Sequence, residues 1–475
     1  MIPNSNPNVD LNPIARPART AGAAWRRGTT AVRAALLGLA ACATVVAHAA
    51  DDLDAAFAAA LARTEPKVLA WRRDFHQNPE LSNREFRTSR IVAEHLRSLG
   101  LTVQTGVAHT GVVALIKGAL PGPTIALRAD MDALPVTEQV DLPFRSRATA
   151  TYRGEPVGVM HACGHDAHTA MLMGIAEALV AVQARLPGSV VLLFQPAEEG
   201  APEGEEGGAR LMLKEGVFER YRPEAAFGLH VTSLMHTGQI GYRGGPMLAA
   251  SDAFRIVVKG RGTHGARPWG GIDPIVVAAQ MIGALQTIVS RQVDITANPV
   301  VITVGAIKGG IRNNIVPDEV EMIGTLRSFD LQQRADVLTR MQRTIDGIAA
   351  ASGATASFDI EPGSTPVVVN DLALTRPSVA ALQRLAGDNA VKSVPLITGA
   401  EDFGFFAQRV PSFFFYLGIT PADRNLLTAA SNHSAQFFVD EAALPLGARA
   451  LAGVALDYLE ARAGAAAAPM EPTPR

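Results

Sequence analysis

From Ala253 to Gly260 the chain reads AFRIVVKG, and from Asp273 to Gln292 it reads DPIVVAAQMIGALQTIVSRQ. Two further β-branched runs follow, VVITVGAIKGG (Val300 to Gly310) and VEMIGTLRSF (Val320 to Phe329). The long segment LQQRADVLTRMQRTIDGIAAASG (Leu331 to Gly353) and the short run TASFDIE (Thr355 to Glu361) complete the stretch. Short runs rich in Val and Ile read as strands, and the two long segments with apolar residues at helical spacing read as helices. The order strand-helix-strand-strand-helix-strand is a complete ferredoxin-like α+β unit. It predicts a small domain over residues 251–362, inserted into a larger one formed by residues 51–250 and 363–460.

The flanking segments have another rhythm. The apolar runs GVVALIKG, TIALRAD, GSVVLLFQP, AAFGLHV and SFFFYLG alternate with helical stretches such as TSRIVAEHLRSLG, closed by Gly100, and AMLMGIAEALVAVQARL. That alternation is what an α/β sheet with mainly parallel strands requires. The fold class is therefore α/β, a hydrolase-like mixed-sheet host carrying the α+β insertion. The Ala/Pro-rich end, residues 461–475, reads as a disordered tail.

The first 49 residues are basic and then apolar, with AALLGLAACATVV ahead of the small-x-small sequence Ala47-His48-Ala49. This is the pattern of a cleavable export signal, and it predicts a periplasmic or secreted protein. The apolar run is shorter than the roughly 20 residues of a membrane span, so no stable span is expected. LAAC at Leu39 to Cys42 resembles a lipoprotein box, but the apolar run continues past Cys42, which argues against it. Removal of the signal leaves Cys163 as the only cysteine: a buried small hydrophobe, a reactive thiol or a metal ligand. Charge is nearly balanced, with a formal net of -2 and no basic block, so nucleic acid is not an expected partner.

Polar residues collect where strands end, which is where α/β sheets place ligands. RADMDALP ends a strand with Asp130 and Asp132, and HACGHD opens a helix with Cys163 and His165. FQPAEEG ends a strand with Glu198 and Glu199, GLHV carries His230, and SNHSAQF carries His433. Each cluster has a bland reading: a core histidine, a solvated acidic turn, a polar helix start. Together they supply a thiolate, imidazoles and carboxylates, the donor set of borderline divalent metals. Two adjacent glutamates leaving a strand point in different directions, so one can bind metal while the other moves protons.

With GTHGARP, NNIVPDEVEMIGTLRS and GAEDF added, the set resembles the N-acyl amino acid amidohydrolase branch of the di-metal aminoacylase and carboxypeptidase family. That branch includes hippurate hydrolases and plant auxin-conjugate hydrolases. The resemblance runs in order from about Trp71 to Leu459. It implies that Cys163 bridges two divalent metal ions, zinc or manganese. His165 and His230 would complete one site, Glu199 and His433 the other, and Glu198 matches the general base. Asp132 matches an aspartate that steadies the first site. Asp130 stands where the wider family often has a histidine ligand, and it is not counted as one. His264 matches a histidine that reaches a neighbouring subunit's site and stabilises the oxyanion, which implies a homodimer through the inserted dimerisation (lid) domain. Asn314, Arg327 and Gly399 fall at substrate-binding positions, Arg327 being suited to a substrate carboxylate.

The implied reaction is hydrolysis of the amide bond of N-acyl amino acids by attack of a metal-bound hydroxide. A dipeptidase or carboxypeptidase would use the same centre. A thiol nucleophile at Cys163 would leave the other clusters without a role. A binding protein without catalysis would not need a base at Glu198. The acidic stretch APEGEEGG after Glu199 departs from the shorter glycine run common in the branch.

Overall fold

The computed structural model describes the backbone of residues 29–467 and the side chains of residues 53–465. The expected export signal, residues 1–49, lies outside the residues whose side chains are described. The described residues from Leu53 onward form one compact unit. Its main sheet starts with β1 (Val103–Val107), β2 (Gly111–Lys117), β3 (Leu120–Asp130), β4 (Pro187–Gln195), β5 (Ala225–His236) and β6 (Ile240–Tyr242). The chain then leaves to build β7 (Ala250–Lys259), β8 (Val301–Gly309), β9 (Glu319–Ser328) and β10 (Thr355–Ile360). It returns to add β11 (Val391–Ser393) and β12 (Ser412–Thr420) to the first sheet. The helices used below are α1 (Thr29–Gln77), α2 (Phe86–Ser98), α3 (His165–Ala181), α4 (Pro274–Gln292), α5 (Leu331–Ala351), α6 (Leu372–Ala386) and α7 (Leu444–Ala467).

The eight-stranded sheet has the order β1-β2-β4-β3-β5-β12-β6-β11. Its centre, β4-β3-β5-β12, is parallel, and the pairs β1-β2, β2-β4 and β12-β6 are antiparallel. Stretches such as Val190–Phe194 of β4 and Phe413–Phe415 of β12 are apolar at successive positions because both faces of the sheet's centre are covered. In β4, Val190, Leu192 and Phe194 join the core under α1, α2, α3, α6 and α7, whereas Val191 and Leu193 join a second core on the opposite face. Phe413 and Phe415 of β12 take the first side and Phe414 the second.

The second sheet is wholly antiparallel, with order β8-β9-β7-β10. Numbered within the insertion this is the ferredoxin-like order, as the alternation of runs implies. Helices α4 and α5 start where sequence marks a start: Asp273 caps the amides of Ile275 and Val276 ahead of Pro274, and Asp330 caps that of Gln333 at 2.7 Å. Val277, Met281, Leu285 and Ile288 of α4 and Val337, Met341 and Ile345 of α5 recur at helical spacing. They bury one face of the sheet against Phe254, Ile256, Met322 and Leu326. Where the chain enters and leaves the insertion, Ser251 and Thr365 exchange backbone hydrogen bonds of 2.9 Å.

One boundary differs from the sequence reading. Helix α7 continues past residue 460 to Ala467, into the segment expected to be disordered. Its last turns are alanine-rich, and alanine carries the highest helix propensity.

A buried ion network pins α1 to the start of α3. Arg72 lies 3.0 Å and His76 2.8 Å from the Asp166 carboxylate, all three nearly inaccessible; His76 also meets Glu138 at 3.1 Å, and Arg72 meets Glu441 at 3.2 Å. Burial alone would raise the Asp166 carboxyl, but Arg72 and His76 outweigh it and hold it well below its ordinary value. A depressed carboxylate contributes stability above its unfolded pKa of about 3.9 and loses it as pH falls through the native value. Asp166→Asn is expected to cost about 3 kcal/mol at neutral pH, the low end for a broken buried pair because Glu441 still faces Arg72. The deficit should close as pH drops below about 4. Urea titrations of both proteins across that range check it, and a deficit independent of pH would refute the electrostatic origin.

Candidate active site

The turn that opens α3 is built around Gly164, whose φ is +100°. A Cβ there would lie 2.2 Å from Cγ2 of Val231 on β5, so only glycine lets this turn approach the strand so closely. The approach sets Cys163 beside His230. Cys163 Sγ lies 3.3 Å from His230 Nε2 and 3.2 Å from His433 Nε2, between two imidazoles. His433 is brought in by a loop whose backbone bonds to Ala162 O at 2.7 Å, and it has φ +70°, an uncommon left-handed conformation for a residue with a side chain.

Glu199 Oε1 lies 3.2 Å from His433 Nε2 and 3.9 Å from His165 Nε2. Glu198 Oε2 lies 3.9 Å from the same His165 nitrogen. The two glutamates leave β4 through Ala197, another residue at positive φ (53°), and the turn is caught by Asp132. Its Oδ1 accepts the Glu198 amide at 3.1 Å and its Oδ2 the Glu199 amide at 3.0 Å, while Ser82 Oγ donates to Oδ2 at 2.7 Å. His165 Nδ1 is 2.9 Å from the Asp132 carbonyl and His230 Nδ1 is 2.7 Å from the Val231 carbonyl. A carbonyl only accepts, so each Nδ1 carries a proton and each Nε2 is the ring atom turned toward the centre.

The structure thus brings Cys163, His165, Glu198, Glu199, His230 and His433 together, with Asp132 behind them. It keeps four other sequence candidates apart. His264 is exposed on a short strand paired with Ile315, and the Asn314 carbonyl accepts the Gly265 amide at 2.8 Å. Arg327 is half-buried on β9. Among the described residues none of the three bonds to the Cys163 cluster within this chain. Gly399 is exposed, its carbonyl accepting the Ala249 amide at 3.0 Å where the insertion begins.

Several groups went unread in the sequence. In GAEDF the chemistry lies two residues beyond Gly399: Glu401 and Asp402 are buried with carboxylate oxygens within 4.8 Å of Glu198's. Buried Arg128 holds them at 2.9 and 3.1 Å and also faces Asp130 at 2.7 Å, while Gln195 Nε2 donates to Asp402 at 2.7 Å. His168 Nδ1 bonds Asp130 at 2.6 Å. The signals were present as RAD, FQP and AEDF, but no spacing rule says that two strand ends and a turn converge on one arginine.

The electrostatics of this cluster ask for cations. Burial raises Glu198 well above the ordinary carboxylate range, and the charges of Glu401, Glu199 and Asp402 push the same way against Arg128. Burial and then Glu199, Glu198 and Asp130 also raise the Cys163 thiol. Burial disfavours charge on His165, yet Asp130, Asp132 and Glu199 outweigh it and lift the ring to about 10. Its Nε2 and Glu199 Oε1 are buried without a hydrogen-bond partner. Orphaned donor atoms in a field of excess negative charge are what a site built for divalent metal looks like. Thiolate, imidazole and carboxylate are the matching donors.

Comparison with known proteins agrees. The model of peptidase family M20/M25/M40 matches residues 126–457. A thermostable carboxypeptidase of Saccharolobus solfataricus is 41% identical over 395 residues, 83% of this chain and 96% of that one. An N-acetylcysteine deacetylase of Bacillus subtilis is 38% identical over 396 residues, 83% of this chain and 97% of that one. The crystal structure of the Bacillus subtilis YXEP protein, described as a dinuclear metal-binding peptidase, aligns with a TM-score of 0.68. It is 35% identical and covers 84% of this chain and 99% of its own. The chain belongs to peptidase family M20/M25/M40.

Proposed function

We propose that the protein hydrolyses the amide bond of N-acyl amino acids, releasing a carboxylic acid and an amino acid. The observation that carries this reading is the pair of adjacent glutamates. Glu199 Oε1 is turned to His433 and His165, and Glu198 stands beside the same histidine with its carboxylate also near Glu401 and Asp402. One glutamate is placed to hold metal and its neighbour to move a proton. Cys163, His165, Glu199, His230 and His433 would hold two divalent ions, which when bound acidify water and polarise the acyl carbonyl. Glu198 takes the proton of the attacking water and returns it to the departing nitrogen. Asp132 keeps the glutamate turn in place. A second reading, cleavage of dipeptides or of C-terminal residues, is favoured by the identity to the carboxypeptidase of Saccharolobus. It uses the same residues and differs in the acyl pocket.

Two features support a dimer. Strand β8 is an open edge of the inserted sheet and carries exposed Val301 and Ile307. His264 is exposed and bonds nothing in its own site, as a residue that serves a second subunit would be. Asn314 and Arg327 lie on the same domain, suited to the polar end of the substrate. The basic and apolar leader supports action in the periplasm or outside the cell.

Metal analysis of the purified chain should give about two ions per chain. It should cleave N-acetyl- or N-benzoyl-amino acids, lose turnover on chelation and regain it with Zn²⁺ or Mn²⁺. Cleavage that survives complete metal removal would overturn the reading, and cleavage confined to dipeptides would select the second one. Sedimentation of the active preparation as a single chain would remove the dimer.

A further inference from the structure

Among the candidate ligands, His230 leans on a chain of residues outside the donor set. Its Nδ1 bonds the carbonyl of the next residue, Val231. Val231 is itself gripped from two directions. Its amide donates to His168 Nε2 at 2.9 Å, and its carbonyl accepts a second hydrogen bond from Asn432 Nδ2 at 3.2 Å.

Both grips are anchored. Because His168 Nε2 accepts from an amide, that ring must carry its proton on Nδ1, which meets Asp130 Oδ1 at 2.6 Å; Arg128 holds the other Asp130 oxygen at 2.7 Å. Both nitrogens of His168 are therefore spent, although the ring lies 4.7 Å from that of His230 and could be taken for another ligand. Asn432 Nδ2 also donates to the Cys163 carbonyl at 3.2 Å and lies 3.9 Å from Cys163 Sγ, while its Oδ1 accepts the Ser233 amide at 3.2 Å. One side chain thus ties the Cys163 turn and β5 to the loop of His433.

We propose that His168 and Asn432 are positioning residues which grip the amide and the carbonyl of Val231 and so fix His230 with Nε2 toward Cys163, and that Asp130 serves this grip rather than coordination. The inference rests on the metal-dependent reading above. It gives the aspartate that stands where a ligand histidine could a use of its own, one oxygen bonded to His168 and the other ion-paired with Arg128.

The test is zinc affinity of the full-length chain, stripped of metal and titrated against a competing chelator. His168→Leu and Asn432→Ala should each weaken zinc binding by about 10–100-fold, the scale for groups that orient ligands. His168→Gln can still accept from Val231 and donate to Asp130, and it should restore most of the lost affinity. Asn432 sits on a partly exposed loop, so its variant reads the grip even where His168→Leu does not fold. Wild-type affinity in Asn432→Ala, or in a folded His168→Leu, would overturn the proposal. Loss of one whole equivalent of zinc in His168→Gln as well as in His168→Leu would also overturn it, by making His168 a ligand. A wild-type chain that takes up no zinc or manganese would sink the metal reading together with the grip; tight binding unaffected by the variants would sink the grip alone.

Discussion

Glu198→Gln is expected to keep its metal and lose about 10²–10⁴-fold in kcat, the contribution typical of a positioned general base. That corresponds to about 3–5 kcal/mol of transition-state stabilisation. The amide is nearly the same shape as the carboxylate, and the Glu198 backbone stays bonded to Asp132, so Glu199 should keep its place. What disappears is the ability to accept a proton from water and deliver it to nitrogen. The surroundings of Glu198 suit the second half of that cycle. A buried carboxyl beside Glu401, Glu199 and Asp402 holds a proton readily, and bound cations would offset that field during the first half. KM should change little, because the carboxylate is needed in the transition state more than for binding substrate. A variant with confirmed metal content and near-normal kcat would exclude Glu198 as the base. A variant that loses metal and activity together would move Glu198 into the ligand set.

The fold was more legible than the site. Strand β4 could be read because Val190 to Phe194 are apolar on both faces, and α4 because Asp273-Pro274 marks its start and Val277, Met281, Leu285 and Ile288 keep the helical period. Periodicity is local, and burial follows it. The site was readable where one side chain has few other uses in its setting: a cysteine between histidines, paired glutamates after a buried strand. It was not readable where function depends on convergence. Arg128 and Gln195 look like ordinary polar ends of strands, and Glu401-Asp402 like a solvated acidic turn, until three segments meet and bury them around one guanidinium. Asn432 was hidden by its neighbour, since His433 claimed the chemistry of the same loop.

Cys163→Ala should strip the centre of metal and turnover together. The sulfur lies 3.3 and 3.2 Å from the Nε2 atoms of His230 and His433, so one atom serves both sides of the cluster. If Cys163 bridges the two ions as proposed, its loss would remove a donor from each metal position, a deeper change than the loss of an orienting group, and the affinity should fall by more than the roughly 10–100-fold that such groups carry. The fold should survive: the side chain is small, Gly164 still makes its turn, and the Asn432 bond to residue 163 uses the backbone carbonyl. Cys163→Asp supplies the discriminating comparison. A carboxylate can bridge two cations with its two oxygens, so part of the metal binding and turnover should return, whereas a thiol nucleophile could not be replaced in that way. Metal content by elemental analysis, read beside turnover for the three proteins, separates the cases. Full metal and full turnover in Cys163→Ala would leave Cys163 as a packing residue. Full metal with no turnover in both variants would instead make the thiol the attacking group, with the metal ions held by the histidines and Glu199 alone.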